Sequence, residues 1–300
     1  SMRSTAGFNS SMGGRYLASA TDEAEYAVTF SNIHYFYNGA WSRFFPMMNW
    51  TTQDGAIRAV NIFLVESEGR TFDEFKENSD YITEMRRFEN YKWEVRFLRA
   101  WFYFDLARKF CYVPFVGDRI LTEEEVNSFS RMPVQDIFDY VIHECEVVAE
   151  ELPDEYTESG VNDRGRATKS MALALRARAA LYAASPLFNK EDDKTLWLRS
   201  AMANTDVIDH MTVTRGIMLT NSYTSIWDVD NYKIPQNIMW VVDGENNWLE
   251  SSNFPAGIEG GYGGNCPTQN LVDAYQMTNG KFWDAPGSVY DPQAPWDNRD

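Results

Sequence analysis

The sequence predicts a mainly all-α fold, built of stacked helical hairpins packed with a loop-rich region that holds a few short strands. Three observations carry this reading. Apolar residues from Val134 to Leu152 recur in helical steps. The run from Ala172 to Ala184 is dense in alanine, which forms helix readily and lets a neighbouring helix come close. After about Val213 helical periodicity disappears, and Gly, Asn, Asp, Pro and Trp become common.

Taken in chain order, a helix is expected over about Gly55–Ser67, with Ile57, Val60, Phe63 and Leu64 on one stripe. The segment Tyr91–Phe110 is apolar on almost every side, through Trp93, Val95, Phe97, Leu98, Trp101, Phe102, Tyr103, Phe104 and Leu106. A helix of that kind has to be covered on more than one face. Pro133 opens the next helix, whose apolar face is Val134, Ile137, Phe138, Val141, Ile142, Cys145, Val148, Ala149 and Leu152, and Pro153 stops it. His143 lies beside that face and is expected to be structural. A further helix runs from about Thr168 to Ser185, before Pro186, and a fifth from about Thr195 to Met211, after the start signal Asp192–Asp193. Leu98-Arg99-Ala100 recurs as Leu175-Arg176-Ala177, 77 residues later, each followed shortly by a tyrosine. That spacing is near twice the roughly 34-residue tetratricopeptide period. Beyond these helices, 237–242 could form a strand and Gly257–Gly264 a glycine-rich loop. Long ordered loops of this kind more often carry function than fill space. The domain boundary is expected near residue 212, with 1–212 helical and 213–300 loop-rich.

Composition narrows the function. The formal charge is −17, which argues against a nucleic-acid partner and against a polybasic face for anionic lipid. Aromatic residues make up 15% of the chain and include ten tryptophans, too many to hide completely. An acidic, aromatic-rich surface suits uncharged ring-shaped ligands such as sugars. No stretch is long and apolar enough to span a membrane. The three cysteines, Cys111, Cys145 and Cys266, are far apart and show no C-x-x-C, so no disulfide framework and no zinc site is expected. Cys145 falls on an apolar helical face, as a buried thiol does.

No catalytic signature is present. G-x-S-x-G, Walker A and H-E-x-x-H are absent, the three histidines are scattered, and the glycine cluster at 260–264 does not fit a dinucleotide fingerprint. No catalytic residue, metal or cofactor is expected. Acid pairs do occur, Asp22 with Glu23 and Glu25, and Asp228 with Asp230, but a glycosidase needs two carboxyls at a set separation across a cleft. Two clusters fit carbohydrate better. The first holds Tyr35, Phe36, Tyr37, Asn38, Trp41 and Arg43, with Trp50 after it and Asp22 before. The second holds Trp227, Tyr232, Trp240, Trp248, Tyr262 and Trp283. Aromatic faces stack on the C–H face of a pyranose, and Asn, Asp and Arg make fork-like hydrogen bonds to neighbouring hydroxyls. The expected ligand-binding residues are Asp22, Tyr37, Asn38, Trp41, Arg43, Trp50, Trp248 and Tyr262.

Several blocks resemble one known family. Glu94-Val-Arg-Phe-Leu-Arg-Ala-Trp-Phe-Tyr-Phe-Asp-Leu-Ala-Arg-Lys-Phe110, followed by Val113-Pro-Phe-Val116, is similar to the signature helix of SusD/RagB-like proteins. Arg131-Met-Pro-Val-Gln-Asp-Ile-Phe-Asp-Tyr-Val-Ile142, leading to Glu151-Leu-Pro153, resembles the family as well. So do Gly165-Arg-Ala-Thr-Lys169, Ser185-Pro-Leu-Phe-Asn189, Ser19-Ala-Thr-Asp-Glu-Ala24, Asn38-Gly-Ala-Trp41 and Pro267–Met277. The resemblance covers about residues 12–300. It implies tetratricopeptide-like hairpins and an outer-membrane lipoprotein on the cell surface. Such a protein captures oligosaccharide or polysaccharide and passes it to a SusC-like TonB-dependent transporter. It also implies a longer native chain, with a signal peptide and lipid-bearing cysteine that this sequence does not contain. The anchor would be its only tie to the membrane. Two other readings stay open: an all-α glycoside hydrolase using an acid pair near Asp22 or Asp228, and a helical-repeat scaffold that binds only protein.

Overall fold

Several helices begin where the sequence or its packing supplies something to hold the first turn. The structure is a computed structural model that describes residues 17–29, 31–40, 42, 50–126, 128–156, 165–218, 254–258, 260–261 and 263–299. Along it run β1 (Ala24–Tyr26), α1 (Trp50–Ser67), α2 (Tyr81–Phe110), β2 (Val113–Pro114), α3 (Glu123–Val126), β3 (Arg131–Met132), α4 (Val134–Glu151), α5 (Lys169–Ala184), α6 (Lys194–Asp209), β4 (Asn265–Pro267) and α7 (Gln269–Ala274). The fold is mainly all-α with tetratricopeptide-like hairpins. Its described residues group into two units. One joins 17–42 to 254–299, and the other is 50–218. A single cut near residue 212 does not describe this grouping, because the first unit is closed by pairing between distant parts of the chain.

In the helical unit α2 packs against α1 and α4, and α5 lies between α4 and α6. The expected helices are present, with shifted ends. α1 begins at Trp50 rather than near Gly55. Threonines and a glycine are poor helix formers, but tertiary contacts hold that first turn. Trp50 meets Phe110 edge-on at 4.8 Å between ring centroids, and the Gln53 amide donates to Asp105 Oδ2 at 2.6 Å. α2 begins ten residues before Tyr91, at Tyr81. Its first turns are largely exposed and charged, so they carry little apolar period. α5 is capped by the Thr168 hydroxyl, which accepts from the Met171 amide. α6 is capped by Asp193 and unwinds through a wide turn, His210–Thr214, past the expected end.

The core lies where the apolar stripes meet. Phe97, Tyr103, Phe104, Ile137, Phe138, Val141, Cys145 and Val148 are fully buried. A large apolar side chain buried in this way contributes about 1.5–3 kcal/mol. Ala172, Ala179, Ala180 and Ala183 of α5 are also fully buried, so small side chains set the spacing to both neighbours. Burial pushes the Cys145 thiol well above its ordinary range. His143 sits one step off the buried stripe, where it is exposed and stands 4.0 Å from Glu146.

One buried polar cluster ties three helices and a loop together. Arg99 of α2 is 3% exposed. Its guanidinium donates to Asn61 Oδ1 of α1 at 2.8 Å, to the Tyr140 hydroxyl of α4 at 3.0 Å and to Glu144 Oε1 of α4 at 3.3 Å. Arg96 grips the same Glu144 with two parallel bonds of 2.8 Å. The Asn61 amide then donates to the Gly117 and Arg119 carbonyls at 2.9 and 2.8 Å. β2 and β3 pair antiparallel, Val113 opposite Met132, and so fasten the end of α2 to the start of α4.

The sequence echo has a structural counterpart. Arg99 pairs with Glu144, and Arg176 stands 3.6 Å from Glu146 on the same helix while also pairing with Asp206 of α6. The two Leu-Arg-Ala triplets therefore each send an arginine to α4, one from α2 and one from α5.

In the other unit β1 pairs antiparallel with β4, Ala24 opposite Pro267 and Tyr26 opposite Asn265. The Thr268 amide donates to the Glu23 carbonyl at 2.9 Å, and Ala27 donates to Gly264 at 3.0 Å. Arg299 gathers the last segment. It donates to the Val272 and Pro295 carbonyls and to Asp273, and it lies over the Tyr290 ring. The glycine-rich loop is a tight turn in which a Cβ on Gly261 would strike the Phe254 carbonyl and come within 2.6 Å of that of Pro255.

The buried cluster and the thiols can each be tested. Glu144→Gln removes the counter-charge of Arg96 and one of the two that Arg99 has, the other being Asp118 at 2.5 Å, and should lower the free energy of unfolding by about 3 kcal/mol, read by denaturant titration. Glu146→Gln on the half-exposed flank should change it by less than about 1 kcal/mol. In native protein a thiol reagent at neutral pH should modify exposed Cys266 and leave buried Cys145 untouched until denaturant is added.

Candidate functional site

The first expected cluster is partly described, and all of its described residues except Trp50 lie in the unit that contains β1 and β4. A single 3-10 turn, Asn32–Phe36, is capped by Ser31, whose hydroxyl accepts from the Ile33 amide. Ile33 is fully buried and anchors it. The turn delivers Tyr37 and Asn38 to its exit. His34 holds Tyr37 in place. His34 Nε2 donates to the Val28 carbonyl at 2.9 Å, so in the neutral ring Nδ1 accepts from the Tyr37 hydroxyl. The two rings meet edge-on at 5.4 Å. Partial burial, with the negative charge of Glu25 behind it, raises the Tyr37 phenol above its ordinary value, so it stays protonated at neutral pH.

Tyr37 nevertheless leaves 53% of its surface in solvent. Asn38 spends its side-chain oxygen on the Ala40 amide at 3.0 Å, across a turn in which Gly39 takes a left-handed φ of 81°. Its two amide N–H donors point to no partner among the described residues. An exposed ring fixed by a histidine therefore sits beside an open amide, a pairing that suits a ring face and a hydroxyl. Asp22 is exposed in the turn before β1, and its backbone carbonyl, not its carboxylate, is used by Thr268.

The other candidates divide. Trp50 starts α1 in the helical unit. Its ring is engaged by Phe110 and has the Arg131 guanidinium over it at 5.7 Å, which gives it a packing role. Trp283 meets Tyr290 edge-on at 5.5 Å and is 38% exposed. Trp41, Arg43, Trp248 and Tyr262 lie outside the described residues, as do Trp227, Tyr232, Trp240, Asp228, Asp230 and the 237–242 segment. Sequence reading passed over His34. Its signal was its position three residues before Tyr37, in the same turn.

The helical unit has a cleft of about 810 Å³, bordered by Trp93, Phe88, Phe115 and Tyr140. Arg96, Arg99, Glu144 and Asp118 also line it, and their charges are paired with one another. Lys92 and Arg96 lie over the Trp93 ring at 4.7 and 5.1 Å, so that tryptophan is occupied by its own neighbours. Among the described residues no group of three His, Cys, Asp or Glu side chains is placed to hold a metal ion. No helix among them is long and apolar enough to cross a membrane.

Solved structures share this architecture. A SusD-like carbohydrate-binding protein from Bacteroides fragilis is 22% identical, with a TM-score of 0.71 over 95% of this chain and 51% of its own. A second SusD-like protein from the same organism is 23% identical, with a TM-score of 0.68 over 94% of this chain and 54% of its own. A laminarin-binding SusD-like protein is 19% identical, with a TM-score of 0.63 over 91% of this chain and 60% of its own. The chain thus spans between half and three-fifths of the length of these structures, and at such identities the likeness is one of fold. Among curated proteins no sequence matches. The family model of SusD-like proteins, described as starch-binding and associating with the outer membrane, matches residues 15–181. That match covers more than half of the sequence and runs through the capped turn at Tyr37 and the buried arginine cluster, and the chain belongs to the SusD-like family.

Proposed function

We propose that the chain is a non-catalytic, cell-surface glycan-binding protein that captures oligosaccharide or polysaccharide and passes it to a SusC-like TonB-dependent transporter. Its tie to the outer membrane would be an N-terminal lipid anchor supplied by sequence beyond this chain. The observation that carries the reading is the Tyr37–Asn38 pair. A sugar binder needs an aromatic face held still, so that little side-chain entropy is lost on stacking, and adjacent donors for the hydroxyls. His34 supplies the first requirement and the open Asn38 amide the second. Asp22 in the same unit offers an exposed carboxylate as acceptor. Trp41, Arg43, Trp248 and Tyr262 extend the proposed site on the strength of sequence. Membership of the SusD-like family supports the ligand class, as does the likeness to a carbohydrate-binding and a laminarin-binding SusD-like protein.

Affinity electrophoresis against a panel that includes starch and laminarin should show retention on at least one glycan, with no reducing sugar released on long incubation. Tyr37→Ala and Asn38→Ala should each weaken that binding by about tenfold, the worth of one stacked ring or of a donor left unmade. Released sugar would replace the binding role with hydrolysis. Unchanged affinity in both variants would move the site away from this turn.

A further inference from the structure

The connection between α1 and α2 builds a small aromatic box in the helical unit. Phe72 adopts a left-handed backbone, φ 49° and ψ 45°, which a bulky side chain takes only under constraint. That conformation brings its ring to 5.0 Å from Phe88 at an interplanar angle of 84°. Tyr91 stands against Phe88 from another direction, at 6.3 Å and 82°. The 3-10 turn Asp73–Phe75 sets Phe75 beside them. The Tyr81 hydroxyl donates to the Thr71 carbonyl, which closes the loop. The rings surround a pocket of about 300 Å³. These edge-to-face contacts, with Phe63 also against Phe88 at 6.5 Å, hold the lining rings in place around the void. Phe72 and Phe75 remain 38% and 51% exposed.

The charge that lines the box is one-sided. Asp80 and Glu84 line it, and none of its lining residues is Lys or Arg. Glu84 is balanced by Arg87 at 2.9 Å. Asp80 stands at the N-cap of α2 but makes no side-chain capping bond, so its carboxylate is not spent on the helix. Arg166 already lies over Tyr91, 5.1 Å from its centroid, so the other aromatic residues that line the pocket are Phe72, Phe75, Tyr81 and Phe88. Aromatic faces carry negative charge density and attract alkylated ammonium groups, most strongly where water is excluded. Asp80 is itself exposed, so its carboxylate is open to a cationic guest.

We propose that the pocket between residues 72 and 91 is a binding site for a small organic cation, an alkylated ammonium group seated among the rings with Asp80 as counter-charge. The probe is choline, titrated into the full chain by isothermal calorimetry. Its neutral isostere, 3,3-dimethylbutan-1-ol, is titrated in parallel. Choline should bind saturably and at least about tenfold more tightly than the isostere. Asp80→Asn, which preserves shape, should weaken choline by about fivefold and leave the isostere unchanged. Phe75→Ala, at a half-exposed position that the fold tolerates, should weaken choline by about tenfold with unchanged helical circular dichroism. Equal binding of the two probes would show a plain apolar pocket and overturn the proposal. So would the absence of saturable choline binding, or choline affinity indifferent to Asp80→Asn. Glycan retention is measured on the same samples and is expected to be unaffected by choline, so failure of the cation site is distinguishable from failure of the glycan reading.

Discussion

The helical unit depends on the burial of Arg99. An arginine inside a helical core is costly unless its donors are met, and here the partners come from different parts of the chain. Asn61 fixes the rotation of α1, Tyr140 and Glu144 fix that of α4, and the 117–119 loop is drawn over the top through Asn61. An apolar core of similar volume tolerates small slips of one helix along another. A guanidinium with fixed donor directions does not, because a shift of one turn would orphan several polar groups at once. Arg96 shares Glu144 and adds a second clamp between the same two helices. Arg176 repeats the device between α4 and α5, in a wetter setting where the pairing stabilises less.

This rigidity bears on function through placement. Near the start of α2 the chain presents rings and carboxylates in a loop held between two fixed helices. In the other unit the β1–β4 pairing does comparable work, since it closes a loop of some 240 residues and sets the turn that carries Tyr37 and Asn38. In both places the exposed aromatic is steadied by less exposed neighbours: Ile33 and His34 beneath Tyr37, and Phe88 beneath Phe72. An aromatic ring that is held but not covered is a ready surface for a ligand.

Much of the helical unit was legible in the sequence, for a local reason. A helix of three or more turns writes its buried stripe at a fixed period, and α4 shows this from Pro133 to Pro153. The alanine run of α5 forecast close packing, and most of those alanines are buried. The start of α2 was not legible, because its first turns are solvated and their order comes from the helix that follows. His143 shows how narrow the margin is: one position off the stripe separates core from solvent. The site was legible only as residue types. Tyr37 and Asn38 stood out as a ring beside an amide, whereas His34 looked like one of three scattered histidines.

The sequence by itself determined the class of fold, the helical core residues and the buried thiol of Cys145. Each is set by composition or by a period within one element. Only the tertiary structure decided which polar groups are partners. Arg99 finds Glu144 45 residues away, and Ala24 finds Pro267 across most of the chain. Such pairings leave no periodic trace, because a hydrogen bond depends on the direction of two groups in space and not on their distance along the chain.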